Sequence, residues 1–176
     1  MTTPSGYIAE PKLRLAKMIA ASAAFRTLVS AADADAALAS IHYDALPEPA
    51  DEETGEYTLA ELQNYRPCAI VADERMNGWR AERVAEQVFR PSGMVVFEIF
   101  TDAASSHEGQ PTADAIGTFM NTLGEILEDI LEVQGVEPYL AIKSVQKADG
   151  PFWGDPDAAP TEGVWIGAQF LVEWGP

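Results

Sequence analysis

The stretch from Pro111 to Gly135, PTADAIGTFMNTLGEILEDILEVQG, constrains the fold more than any other part of the chain. Ile116, Phe119, Met120, Leu123, Leu127 and Ile130 recur at i, i+3, i+4 and i+7, the spacing that gathers apolar side chains on one face of an α-helix. Glu125, Glu128, Asp129 and Glu132 fall on the opposite face. One face needs a core and the other needs water. Thr112 stands where an N-cap hydroxyl would accept a first-turn N–H, and Gly135 where a left-handed residue would end the helix. Gly117 and Gly124 lower helix propensity, a cost expected to be offset by close backbone approach to a packed neighbour.

The segments on both sides read as strands. MVVFEIFTD is rich in Val, Phe and Ile and follows the turn signal PSG at 91–93. Upstream, WRAERVAEQVFR (79–90) mixes helix-like charge with alternation; we read it as a strand paired across PSG in a long hairpin. RPCAIVAD, residues 66–73, holds the short apolar run of a buried strand. YLAIKSVQKA and VWIGAQFLVEWG close the chain with period-two alternation. In the second, Val164, Ile166, Ala168, Phe170, Val172 and Trp174 form a continuously apolar set, expected to face the helices. Trp165, Gly167, Gln169, Leu171 and Glu173 point the other way. The Gly- and Pro-rich DGPFWGDPDAAPTEG between them, residues 149–163, reads as a long hairpin loop with Phe152 and Trp153 at its tip.

Toward the N-terminus, Leu15, Met18, Ile19, Phe25 and Val29 predict a second amphipathic helix from Lys12 to Val29, broken by 30–32. Asp33 is placed to cap a short helix, ADAALAS, that runs into extended SIHYDAL. The acidic, proline-containing stretch 47–58 has almost nothing apolar and reads as an exposed loop. The expected fold is therefore a single α+β domain over 1–176: a mostly antiparallel sheet with two main helices packed on one face.

A formal net charge of −17 over 176 residues argues against direct nucleic-acid binding, which needs clustered Lys and Arg to displace counterions. The bases sit unevenly: Lys12, Arg14, Lys17 and Arg26 on the first helix, and Arg75, Arg80, Arg83 and Arg90 in the middle. Lys12, Arg14 and Lys17 could meet the acids of another subunit's helix, although a solvated charged face is the commoner arrangement. The single Cys68 cannot form an intramolecular disulfide and reads as a small buried thiol. MIAASAAF is too short to span a bilayer and no leader pattern is visible, so no membrane association or secretion is expected.

Signals for catalysis are absent from the pattern. His42 and His107 stand apart with no second ligand at metal spacing, and Ser105 and Ser106 beside His107 lack the glycine frame of a nucleophile elbow. Asp155, Asp157 and Glu162 lack the spacing of a calcium loop, and no phosphate-binding glycine motif occurs. Paired carboxylates at Glu125/Asp129 and Glu128/Glu132 lie on a face expected to be exposed and to titrate normally. No catalytic residue, cofactor or metal is expected. The candidate interaction surface is Phe152 and Trp153, the acids Glu125, Glu128, Asp129 and Glu132, and the bases Lys12, Arg14 and Lys17.

The order of elements, with RPCAIV opening one strand, MVVFEIF in a hairpin, the long amphipathic helix and a terminal QFLVEW, resembles the small tail-terminator and tail-completion proteins of tailed phages and prophages. That resemblance covers most of the chain and lives in element order and hydrophobic pattern. It implies a non-enzymatic virion protein that assembles as a homomeric ring, commonly hexameric, contacts tail-tube or connector proteins, and works in the host cytoplasm and the virion. The acidic stretch 47–58 and the Phe152–Trp153 segment have no counterpart in the family's pattern. An acidic lumen past which DNA slides would suit the charge. Two other classes remain open: a monomeric acidic binder or inhibitor, with its acids on one contiguous face, and an enzyme with a deep polar pocket.

Overall fold

The computed structural model describes residues 10–48, 59–73, 80–85, 88–106, 110–134, 138–153 and 164–175. The chain opens with α1 (Glu10–Ala21) and α2 (Ala23–Leu28), where the hydrophobic spacing predicts one helix. Ser22 divides them: its backbone leaves helical geometry, and its hydroxyl accepts the N–H of Phe25 as the N-cap of α2. Ser30, at φ 55°, turns the chain away from α2. The Asp33 carboxylate then accepts from Ala36 N at 2.8 Å and caps α3 (Ala34–Leu38), as its position predicts. β1 (Ile41–Tyr43) follows, then α4 (Leu59–Tyr65), a helix the sequence reading does not contain. The expected acidic loop lies largely outside the described residues.

β2 (Cys68–Asp73), β3 (Arg80–Ala85) and β4 (Val88–Ala103) come next, then α5 (Ala113–Val133), β5 (Ile142–Trp153) and β6 (Val164–Trp174). The sheet order is β1-β2-β4-β6-β5, with β3 pairing β4 off that path. Among the described residues only the β1–β2 pair is parallel. The architecture is thus the expected α+β arrangement.

Two strand boundaries differ from expectation. PSG at 91–93 is no turn: β4 runs straight through it, and the hairpin reverses between Ala85 and Val88. Pro91 lies beyond the last β4–β6 pair, Gly93 with Trp174, where β4 has no bond to β6 to lose. Likewise β5 continues through Gly150 and Pro151 to Trp153, so Phe152 and Trp153 are strand residues and not a loop tip. The strand absorbs the interruption through register shifts on either side of Asp149 and through Gly150 at φ 100°. The remainder of the predicted hairpin loop, with Asp155, Asp157 and Glu162, lies outside the described residues.

The core is built by alternation on the sheet and by α1 and α5 above it. Val95, Phe97 and Ile99 of β4 and Ile166, Ala168, Phe170, Val172 and Trp174 of β6 are buried with Leu15, Met18 and Ile19 of α1 and Phe119, Leu123, Ile126 and Ile130 of α5. The apolar set read from VWIGAQFLVEWG is therefore the one facing the helices. Phe97 stacks on Phe170 across β4 and β6, centroids 5.0 Å apart. Thr112 caps α5 by accepting from Ala115 N at 3.1 Å. Gly117 and Gly124 fail the expectation of close approach, since both are exposed and an added Cβ would meet nothing within 4 Å.

Candidate interaction surface

Alternation leaves Phe100 of β4, Phe152 of β5 and Trp165 of β6 on the sheet face away from α1 and α5. Their rings meet edge to face, with centroids 5.9 Å apart for Phe100–Phe152, 5.7 Å for Phe100–Trp165 and 5.9 Å for Phe152–Trp165. The cluster exists because position 167, between Phe100 and Phe152 in register, is glycine. A Cβ there would stand 2.7 Å from Phe152 Cε2 and 2.8 Å from Phe100 Cδ1. All three rings are half-buried; farther along the same face come the polar pair Glu98 and Gln169 and then Val96 and Leu171. Trp153, one residue on, pairs with core-facing Ile166.

Beside the rings, Arg66 Nε lies 3.2 Å from Asp102 Oδ1 and donates to the carbonyl of Leu62. The Cys68 thiol, fully buried in β2 beneath this end, is pushed up to about 12, mainly by loss of solvent and by the Asp102 charge, with Arg66 working against both. It is a protonated packing group at neutral pH, as its place in RPCAIVA predicts. Farther along the same face, Gln169 donates to Glu98, and a depression of about 290 Å³ is lined by Asp44, Ile70, Ala72, Asp73, Val96, Glu98 and Gln169.

The structure separates the predicted charged surface into residues that are spent inside the fold and residues that remain outward. Lys12 is 6% exposed, with Nζ 2.8 Å from Asp44 Oδ1 and 3.0 Å from Asp73 Oδ2. Burial pulls its pKa down, hydrogen bonds and charge from the two carboxylates outweigh that, and the net shift is upward. It ties α1 to the ends of β1 and β2 and offers nothing to a partner, which corrects the expectation of a basic patch there. Arg14 is similarly engaged, Nε and Nη2 reaching Glu10 Oε1 at 2.9 and 2.6 Å. Lys17 is half-buried on the same helix.

On α5, Glu125, Glu128 and Glu132 are exposed as expected. Asp129 is not part of that open face. Ser22 Oγ donates to Asp129 Oδ2 at 2.7 Å and Ala24 N approaches the same oxygen at 3.4 Å, so the carboxylate braces the start of α2. The Ser22 bond holds its pKa below the usual carboxylate range, against partial desolvation and with help from the N–H groups of Ala24 and Ala23. The expectation of ordinary titration is therefore corrected for this member of the pair. Between α2 and α5 runs a groove of about 520 Å³, lined by Ala23, Ala24, Thr27, Leu28, Thr122, Glu125, Glu128 and Asp129.

Sequence reasoning missed Phe100 and Trp165 as partners of Phe152, because their meeting depends on register across three strands. The signal available was Gly167, a glycine inside an alternating strand. His42 is buried in β1 with its ring edge-on to Tyr65 at 5.7 Å. His107 lies outside the described residues, while Ser105 bridges to Pro111. Among the described residues, no group of three or more His, Cys, Asp or Glu is disposed to hold a metal, and no helix is long and apolar enough to cross a membrane. No protein-family model matches the chain, and no curated protein matches it.

Proposed function

We propose that this chain is a non-enzymatic, ring-forming component of a phage or prophage tail end, a tail terminator or head–tail joining protein. The observation that supports this reading is the sheet face opposite α1 and α5, where Phe100, Phe152 and Trp165 form a half-buried aromatic cluster. An apolar patch of this kind on a sheet suits contact with another protein surface. Aromatic side chains are also the groups that concentrate binding energy at such contacts. The element order read from the sequence supports the same assignment, and the charge of −17 suits a passage that repels DNA phosphates.

The test is the assembly state of the full chain, measured by native mass spectrometry and light scattering. A closed ring, hexameric by the family resemblance, is the expected species, and Trp165→Ser should shift it toward monomer while leaving the circular-dichroism spectrum folded. A wild-type chain that stays monomeric at all concentrations would overturn the reading in favour of a monomeric acidic binder.

A further inference from the structure

We infer that the groove between α2 and α5 receives the β3–β4 hairpin of a neighbouring copy of this chain. The inference rests on the ring reading and names the contact that would close the ring. Two features carry it, one on each side of the proposed joint.

The first is the hairpin. β4 pairs β6 from Gly93 to Ala103 and β2 from Val95 to Phe100, whereas its first residues, Val88 to Ser92, pair only with β3. Among the described residues, β3 has no second strand neighbour. The two strands therefore continue the centre of the sheet past its end as a two-stranded arm. A lone hairpin is marginal in water unless something packs against it. Its sequence is net positive in an acidic chain: from Arg80 to Ser92 it carries Arg80, Arg83 and Arg90 against Glu82 and Glu86.

The second is the groove. Ala23, Ala24 and Leu28 give it a floor of small and apolar side chains, and Glu125 and Glu128 rim it with exposed carboxylates. Asp129, the third acid, is already committed to Ser22, so the rim charge left to meet a partner is that of the two glutamates. One turn beyond Glu128 on α5 stands Leu131, 42% exposed, the one exposed large hydrophobic among the described residues. Exposed Gly124 lets an incoming chain approach the helix backbone without meeting a side chain. An apolar floor, a two-carboxylate rim and a nearby exposed leucine complement an arginine-bearing ribbon in sign. Arm and groove are unlike patches on one chain, so their union is head to tail and generates a ring when the rotation closes.

Charge exchange tests this directly. Glu125→Arg with Glu128→Arg, and separately Arg80→Glu with Arg83→Glu, should each abolish assembly in native mass spectrometry while thermal melting shows a folded chain. Mixing the two variants should restore assembly with the two chains alternating, because the wild-type arm of one meets the wild-type groove of the other and the reversed arm meets the reversed groove. Combining all four changes in one chain should restore the full ring. Rising salt should weaken the wild-type assembly. If the wild type assembles and the folded charge-reversed variants assemble equally well, this contact is wrong and the ring reading stands. If the wild type never assembles, both fall together.

Discussion

A buried ammonium costs several kcal/mol in lost hydration, and Lys12 carries its charge at 7% side-chain exposure. The offset comes from Asp44 and Asp73, whose side chains keep 60% and 45% exposure and so retain much of their own hydration. The two sides of the pair are unequal, and removing them should have unequal effects. Lys12→Met lets both carboxylates return to water and should cost about 1 kcal/mol or less. Asp44→Asn with Asp73→Asn strands the ammonium and should cost about 3–5 kcal/mol. Asn is a fair probe at 44, where φ is 65°, because it tolerates left-handed geometry as Asp does. Urea unfolding of both variants checks the ranking.

His42 poses the opposite electrostatic case. It is 4% exposed and its Nδ1 is buried without a hydrogen-bond partner, so loss of solvent lowers its pKa. The folded state holds the ring neutral while the unfolded chain protonates near its ordinary value of about 6.5. Its contribution is therefore fully present above that value and is lost as pH falls toward the depressed folded pKa. Denaturant midpoints should decline between about pH 7 and 5 more steeply in the wild type than in His42→Phe. Equal slopes would show that another group sets the acid limb.

At the scale of elements, glycine position decides the sign of an effect. Gly124 is exposed on α5 with open space where a Cβ would be, so Gly124→Ala should stabilise the folded monomer by about 1 kcal/mol through helix propensity. Gly167 lies beneath two rings at 2.7 and 2.8 Å, so Gly167→Ala should destabilise by about 1–3 kcal/mol as the aromatic cluster is forced apart. Melting transitions of the two alanine variants should move in opposite directions. Both glycines sit inside regular elements, one in a helix and one in an alternating strand. What distinguishes them is the distance to strands far away in the chain.

The same division explains what could be read without a structure. Helix caps at Thr112 and Asp33 and the inward face of β6 were legible because they depend on residues within a few positions of one another. Ile126, buried on α5 but omitted from the expected apolar stripe, shows that a helix enclosed on more than one side buries a wider arc than strict periodicity marks. The Ser22 break depends on Asp129, more than a hundred residues later, and Lys12 depends on the ends of two strands. Pro and Gly signals misled at 91–93 and 150–151 for a related reason. They record a local cost, and pairing with distant strands can outweigh it.

For the molecule as a whole, the candidate surfaces divide between its two layers: aromatic cluster on the open sheet face, groove on the helical layer. The acids and bases that first looked like one interacting system are sorted by burial into internal ties at Lys12 and Asp129 and outward groups at Glu125, Glu128 and Glu132. One strand connects the sheet to its own extension. β4 runs sixteen residues from Val88 to Ala103, roughly 50 Å of extended backbone, serving the hairpin at one end and lying between β2 and β6 at the other. A pull on the hairpin is consequently a pull along the central strand, and it loads the hydrogen bonds to both neighbours in shear at the same time, where they must fail together and not one by one. Tension entering at the tip is delivered to the middle of the sheet.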